Sequence, residues 1–81
     1  MPYYFMSYGS LHSGKNIGCC IIEVEESEDP NEKSKILGLM PNECNQAIAY
    51  LLDEQGFKEQ GMELNRFYSR EEMLSAGFQK V

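Results

Sequence analysis

Two strand-like runs, PYYFMSY (Pro2 to Tyr8) and IGCCIIEVE (Ile17 to Glu25), lie on either side of a turn-rich stretch, and this arrangement constrains the fold more than any other feature. The first run is dense in aromatics with no helical period and reads as a strand beginning after Pro2. The second alternates: Cys20, Ile22 and Val24 point one way, while Cys19, Ile21, Glu23 and Glu25 point the other. Its first half is expected to be buried on both faces and its second half on one. Gly9, Ser10, Ser13, Gly14 and Asn16 between the runs are turn formers, so the pair predicts an antiparallel hairpin.

The turn also holds GSLHSGKN, one residue short of the phosphate-binding pattern G-x-x-x-x-G-K-[ST]. Gly9, Gly14 and Lys15 fall at the right spacing, but Asn16 stands in place of the metal-binding hydroxyl. A phosphate loop needs a helix N-terminus directly behind the glycines. The β-branched, alternating NIGCCIIEV follows instead, so this stretch reads as a hairpin tip.

Further along, Asp29, Pro30 and Glu32 form a capping box that starts a short helix ended by Gly38. Pro41 or Asn42 then starts a longer predicted helix. Cys44, Ile48, Leu51 and Leu52 fall on one stripe of it, with Ala47 beside them and Gly56 as the residue past its end. Met62, Leu64, Phe67 and Tyr68 suit a third strand within Gly61–Ser69. Ser69 and Glu72 cap a last short helix closed by Gly77. The expected order is β-β-α-α-β-α: one small α+β domain over residues 1–81, an antiparallel sheet with helices packed on one face. The expected core includes Phe5, Ile22, Val24, Ile48, Leu51, Leu52 and Leu64.

Eighty-one residues allow one core, burying roughly 60% of the unfolded surface and leaving a stability of only a few kcal/mol. Five Tyr, four Phe and five Met are many apolar groups for so small a core, and strand one or strand three must form a sheet edge. A homodimer that covers both is therefore expected.

Thirteen acidic against seven basic residues give a net charge of −6, which opposes direct binding to nucleic acid. Such a surface suits solubility or docking onto a basic partner. Six acids, Glu23, Glu25, Glu26, Glu28, Asp29 and Glu32, fall within ten positions and form the candidate docking face. The alternative candidate is an anionic-ligand site built from His12, Ser13, Lys15 and Asn16 of the hairpin loop with Arg66 and Arg70, near a dimer interface. No paired zinc-ligand spacing, EF-hand loop or nucleophile–base constellation is recognisable, so neither a metal, a cofactor nor an enzymatic activity is expected.

Cys19 and Cys20 are adjacent and cannot easily bridge in a strand, and Cys44 belongs to the predicted apolar stripe. The start of the chain lacks a basic, apolar leader, and no run approaches the ~20 apolar residues of a membrane span. Free thiols in a reducing, cytoplasmic setting are expected.

YYFMSYGS, followed by GKNIGCCIIEV, resembles small proteins of bacteriophages and bacterial mobile elements, in which an F-x-S-Y-like strand and a glycine hairpin precede a helix. The likeness covers about the first twenty-five residues. It implies an accessory protein that works by binding rather than catalysis, with antagonism of a host defence system as one role. The acidic face points to a host protein with a basic surface as its target, such as a nucleic-acid-binding protein, with the carboxylates standing in for phosphates.

Overall fold

The computed structural model describes residues 2–10 and 15–75. The two opening runs form the expected hairpin, β1 (Tyr3–Ser10) and β2 (Lys15–Glu23), antiparallel from Tyr3 opposite Glu23 to Ser10 opposite Lys15, with a register shift at Tyr8/Gly9. Then come α1 (Pro30–Ile36), β3 (Gln46–Leu52), α2 (Glu54–Gln60), a two-residue β4 (Tyr68–Ser69) and α3 (Arg70–Ser75). The sheet order is β3-β1-β2-β4, and every paired strand is antiparallel. The chain is a small α+β domain, as its sequence indicates.

The element order, however, is β-β-α-β-α-β-α. The segment expected to be the longer helix is strand β3, running alongside β1 from Tyr3 opposite Leu52 to Gly9 opposite Gln46. Its run AIAYLL fits either period, because apolar residues fill nearly every position. The choice is made by tertiary pairing: β1 has one edge on β2, and its other edge needs hydrogen-bond partners. Pro41 opens a turn rather than a helix, with Cys44 N–H donating to its carbonyl at 3.1 Å, and Asn45 N–H then reaches Gly9 O at 3.2 Å to start the pairing.

Helix α2 was not expected. Asp53 caps it by accepting from Gly56 N–H at 2.7 Å, and Gly61, at φ 67°, ends it. Gly56 therefore sits in the first turn of a helix instead of past the end of one. The anticipated strand over Gly61–Ser69 shrinks to Tyr68–Ser69 plus an isolated bridge between Leu64 and Ile21. The other caps are as read: Asp29 accepts from Glu32 N–H at 3.2 Å, Gly38 adopts φ 73°, and Ser69 Oγ accepts from Glu72 N–H at 3.2 Å. The closing Gly77 lies outside the described residues.

Helices occupy both faces of the sheet, not one. On one face Phe5, Cys19 and Ile21 pack with Met62, Tyr68 and Met73 of α3, and Phe57 of α2 joins them. On the other, Met6, Tyr8, Cys20, Ile22 and Val24 meet Leu39, Met40, Cys44 and Phe67, while α1 lays its fully buried Ser34 beside Tyr8. This two-sided cover explains why Gly18, Cys19, Cys20, Ile21 and Ile22 are buried without a break. Of the expected core, Phe5, Ile22 and Val24 are buried and Leu52 and Leu64 are half-buried. Ile48 and Leu51 are exposed, because they belong to an edge strand.

Candidate functional site

The chain leaves the sheet after Val24, whose N–H donates to Pro2 O at 3.0 Å, and turns at once. Glu28 N–H closes this turn on Glu25 O at 3.0 Å, and the Glu28 carboxylate accepts back from Glu25 N–H at 3.1 Å. That backbone bond, with help from Lys33 at 3.3 Å, holds the Glu28 carboxyl below the usual range. Asp29 is the α1 cap, and Glu32 lies 3.7 Å from Lys35. Two of the six acids thus build the turn and the helix start.

Glu25 and Glu26 remain exposed and form no ion pair with a described residue; with Pro2 and Ser27 they line an open depression of about 510 Å³. Glu23 is half-buried at the end of β2, opposite Tyr3. Within the acidic run Glu28 and Asp29 hold the turn and the helix start, Glu32 makes an exposed pair with Lys35, Glu25 and Glu26 stand exposed, and Glu23 beside them is half-buried.

The hairpin-loop candidates are partly described; His12 and Ser13 lie outside the described residues. Lys15 is exposed and already belongs to β2, so a strand follows it where a phosphate loop requires a helix. Asn16 turns inward: its Nδ2 donates to Ser7 Oγ at 2.8 Å and Gly18 O at 3.3 Å, and lies 3.6 Å from Cys19 Sγ. Through Nδ2 it ties β1 to β2, while its Oδ1 is buried with no hydrogen-bond partner among the described residues. Ser7, Lys15, Asn16, Gly9, Gln46 and Ile48 surround a shallow hollow of about 190 Å³. Ser7 is a member that sequence reasoning missed, legible only through its register opposite Cys19.

Arg66 and Arg70 do not line that hollow. Arg66 stacks on the Tyr68 ring at 4.4 Å from its centroid and pairs with Glu72, and half-buried Arg70 opens α3. Tyr3 and Tyr4 lie on β1, which is not a neighbour of β4, since β4 pairs with β2. Tyr8 reaches the cluster, 6.2 Å from Phe67, while Tyr3 stacks on Phe57 at 4.6 Å.

The surface that sequence reasoning overlooked is β3. Ile48 is 44% exposed, Tyr50 52% and Leu51 67%, and a cleft of about 410 Å³ runs beside them, lined by Phe5, Ser7, Tyr50, Leu51 and Leu52.

All three cysteines are free. Burial pushes the Cys19 and Cys20 thiols up, whereas Cys44 is half-buried with its Sγ 3.3 Å from Gln46 O. Cys44 is not a fully buried member of a helical stripe, because its segment is a turn. Titration of the native protein with a thiol reagent is expected to show one fast sulfhydryl, lost in Cys44→Ser, and two that react only on unfolding. Three equally fast thiols would show that the sheet opens readily.

Among the described residues no group of three His, Cys, Asp or Glu side chains is arranged to hold a metal ion. No described helix is long and apolar enough to cross a membrane. Comparison with protein-family models, curated proteins and solved structures finds no match to the chain.

Proposed function

We propose that this chain is a non-enzymatic binding protein that docks on a basic protein surface through Glu23, Glu25 and Glu26. The observation that carries the reading is the division of the acidic run. Glu28 and Asp29 stiffen the turn from within, so Glu25 and Glu26 are held out on a preorganised loop. Carboxylates crowded on such a loop repel one another, and a lysine- or arginine-rich face relieves that repulsion.

The resemblance of the first twenty-five residues to phage and mobile-element proteins supports an accessory role, with a host defence component that binds nucleic acid as the target class. The free thiols suit a reducing cytoplasm. A second reading, capture of a small anionic ligand, draws on Lys15 and the Ser7 hydroxyl around the hollow at the hairpin base. It no longer includes Arg66 or Arg70.

Affinity capture from host extract tests the leading reading. Glu25→Gln/Glu26→Gln is expected to reduce recovery of a basic partner by roughly tenfold, and raised salt to do the same. Glu32→Gln, whose carboxylate already faces Lys35, should leave recovery unchanged. Equal recovery by all three proteins would overturn the acidic-face reading. Glu28 is left intact, since replacing it would loosen the turn itself.

A further inference from the structure

Among the described residues, strand β3 has a partner on one side only, β1, and forms one edge of the sheet; the other edge is β4, two residues long. Monomeric proteins blunt exposed edges with short strands, lysines, prolines or bulges. The β4 edge uses the first device. β3 uses none: it is seven residues long, it is paired with β1 in unbroken register, and its sequence QAIAYLL has no charge and no proline. Three large apolar side chains stand exposed on it.

We propose that a second copy of this chain covers this edge by antiparallel two-fold pairing of β3 with β3, centred on Ala49. This register pairs all seven residues of the strand. On the Phe5 face it sets Ile48 against Tyr50 of the second copy, twice over, an aromatic against a β-branched residue as sheets favour. On the Met6 face it sets Leu51, the most exposed of the three, against Ala47 of the second copy, with Ala49 against Ala49 at the axis. Large side chains meet small ones, and each exposed apolar group gains a neighbour.

Charge agrees with this arrangement. No charged residue lies within the paired strands, so the net −6 of each copy is not concentrated at the contact. Lys35 borders the Gln46 end of β3, and Asp53 and Glu54 follow its Leu52 end. Antiparallel pairing brings the first end of one copy towards the second end of the other. Covering the two strands removes on the order of 1,000 Å² from water, close to the lower bound for specific association, so the dimer is expected to dissociate on dilution.

Sedimentation of the full-length chain over a wide concentration range tests the proposal. The average mass is expected to rise towards twice that of one chain. Ala49→Lys, which sets like charges opposite each other at the axis, should weaken self-association at least about tenfold with an unchanged circular dichroism spectrum. In a Cys44→Ser background, Ala49→Cys should form a covalent dimer on mild oxidation, since Cα atoms across such a pair are about 4.5–5.5 Å apart. Ala47→Cys should not, being offset by about 13 Å along the strands. This covalent readout stands even where Ala49→Lys fails to fold. A single-chain mass at every concentration overturns the proposal, as does association unaffected by Ala49→Lys or a cross-link at position 47 but not 49. A chain that stays single yet loses a different protein partner in Ala49→Lys would equally overturn it, by assigning the edge to a foreign strand.

Discussion

Replacing Gly18 with alanine is expected to destabilise the domain by roughly 2–3 kcal/mol, a large part of what a chain of this size possesses. Gly18 lies where β2 is flanked by Tyr8 of β1 and Ser69 of β4. A Cβ placed there would fall 2.1 Å from Phe67 Cζ, 2.4 Å from Phe67 Cε1 and 2.8 Å from the Tyr68 carbonyl oxygen. The ring can swing away. The carbonyl cannot, because Tyr68 is paired with Cys19 and its phenol accepts from Glu63 N–H at 2.9 Å. The methyl group therefore pushes β4 off β2, and α3 with its buried Met73 follows. Urea denaturation measures the loss. The double variant Gly18→Ala/Phe67→Ala should cost less than the sum of its parts, since Phe67→Ala removes one of the two clashes. A strictly additive pair, or a loss below about 0.5 kcal/mol for Gly18→Ala, would show that β4 does not approach β2 this closely.

The same glycine marks where sequence reading succeeds. Gly18 opens a run whose alternation, turn residues and unbroken burial need only local information, and β1, β2 and the caps at Asp29 and Ser69 are all legible that way. What is not local was missed. Whether QAIAYLL coils or extends depends on the free edge of β1, some forty residues earlier, and no window of sequence contains that fact. The α2 helix did carry a signal in DEQGFKEQG, a capping aspartate and a terminating glycine eight positions apart. Once Gly56 is assigned to the end of a preceding helix, that signal disappears. The consequence reaches the surface: three residues assigned to a core or left unassigned, Ile48, Tyr50 and Leu51, become the exposed strip that the edge strand presents.

The acidic run shows the same limit. Composition identifies six carboxylates but cannot tell which of them are engaged in hydrogen bonds within the turn. Glu28 and Asp29 are distinguished from Glu25 and Glu26 only by which backbone N–H groups they reach. Likewise Asn16, a loop donor on the page, is a tie between strands because Ser7 and Gly18 O lie within its reach. In each case the residue type was informative and its orientation was not.

Raising the pH above 9 is expected to unfold the protein progressively, and the cause lies in its core. Tyr8 and Cys20 are both fully buried on one face of the hairpin, with Tyr8 Oη 3.1 Å from Cys20 Sγ. Burial pushes the Cys20 thiol up from its ordinary 9.0 to about 11, against a smaller opposing effect of the Tyr8 hydrogen bond. Burial likewise drives the Tyr8 phenol well above its ordinary 10.0, and the Cys19 thiol upward on the opposite face. Each of these groups holds its proton more tightly folded than unfolded. The unfolded chain therefore gains by releasing protons once the pH passes the unfolded values, while the folded chain still retains them. The Cys20 contribution is intact below pH 9 and is lost as pH rises from 9 towards 11, while the loss from Tyr8 begins only above pH 10. For Cys20 alone the loss is on the order of 2–3 kcal/mol. The urea midpoint should accordingly stay level from neutral pH to near 9 and then fall steeply. Cys20→Ala should start from a lower midpoint, because it empties space beside Tyr8, but should decline less between pH 9 and 11. A wild-type midpoint that holds steady to pH 11 would mean that water reaches these thiols in the native state. That would also contradict the two slow sulfhydryls expected at neutral pH, so the alkaline limb and the thiol titration test one claim: the hairpin is sealed on both faces.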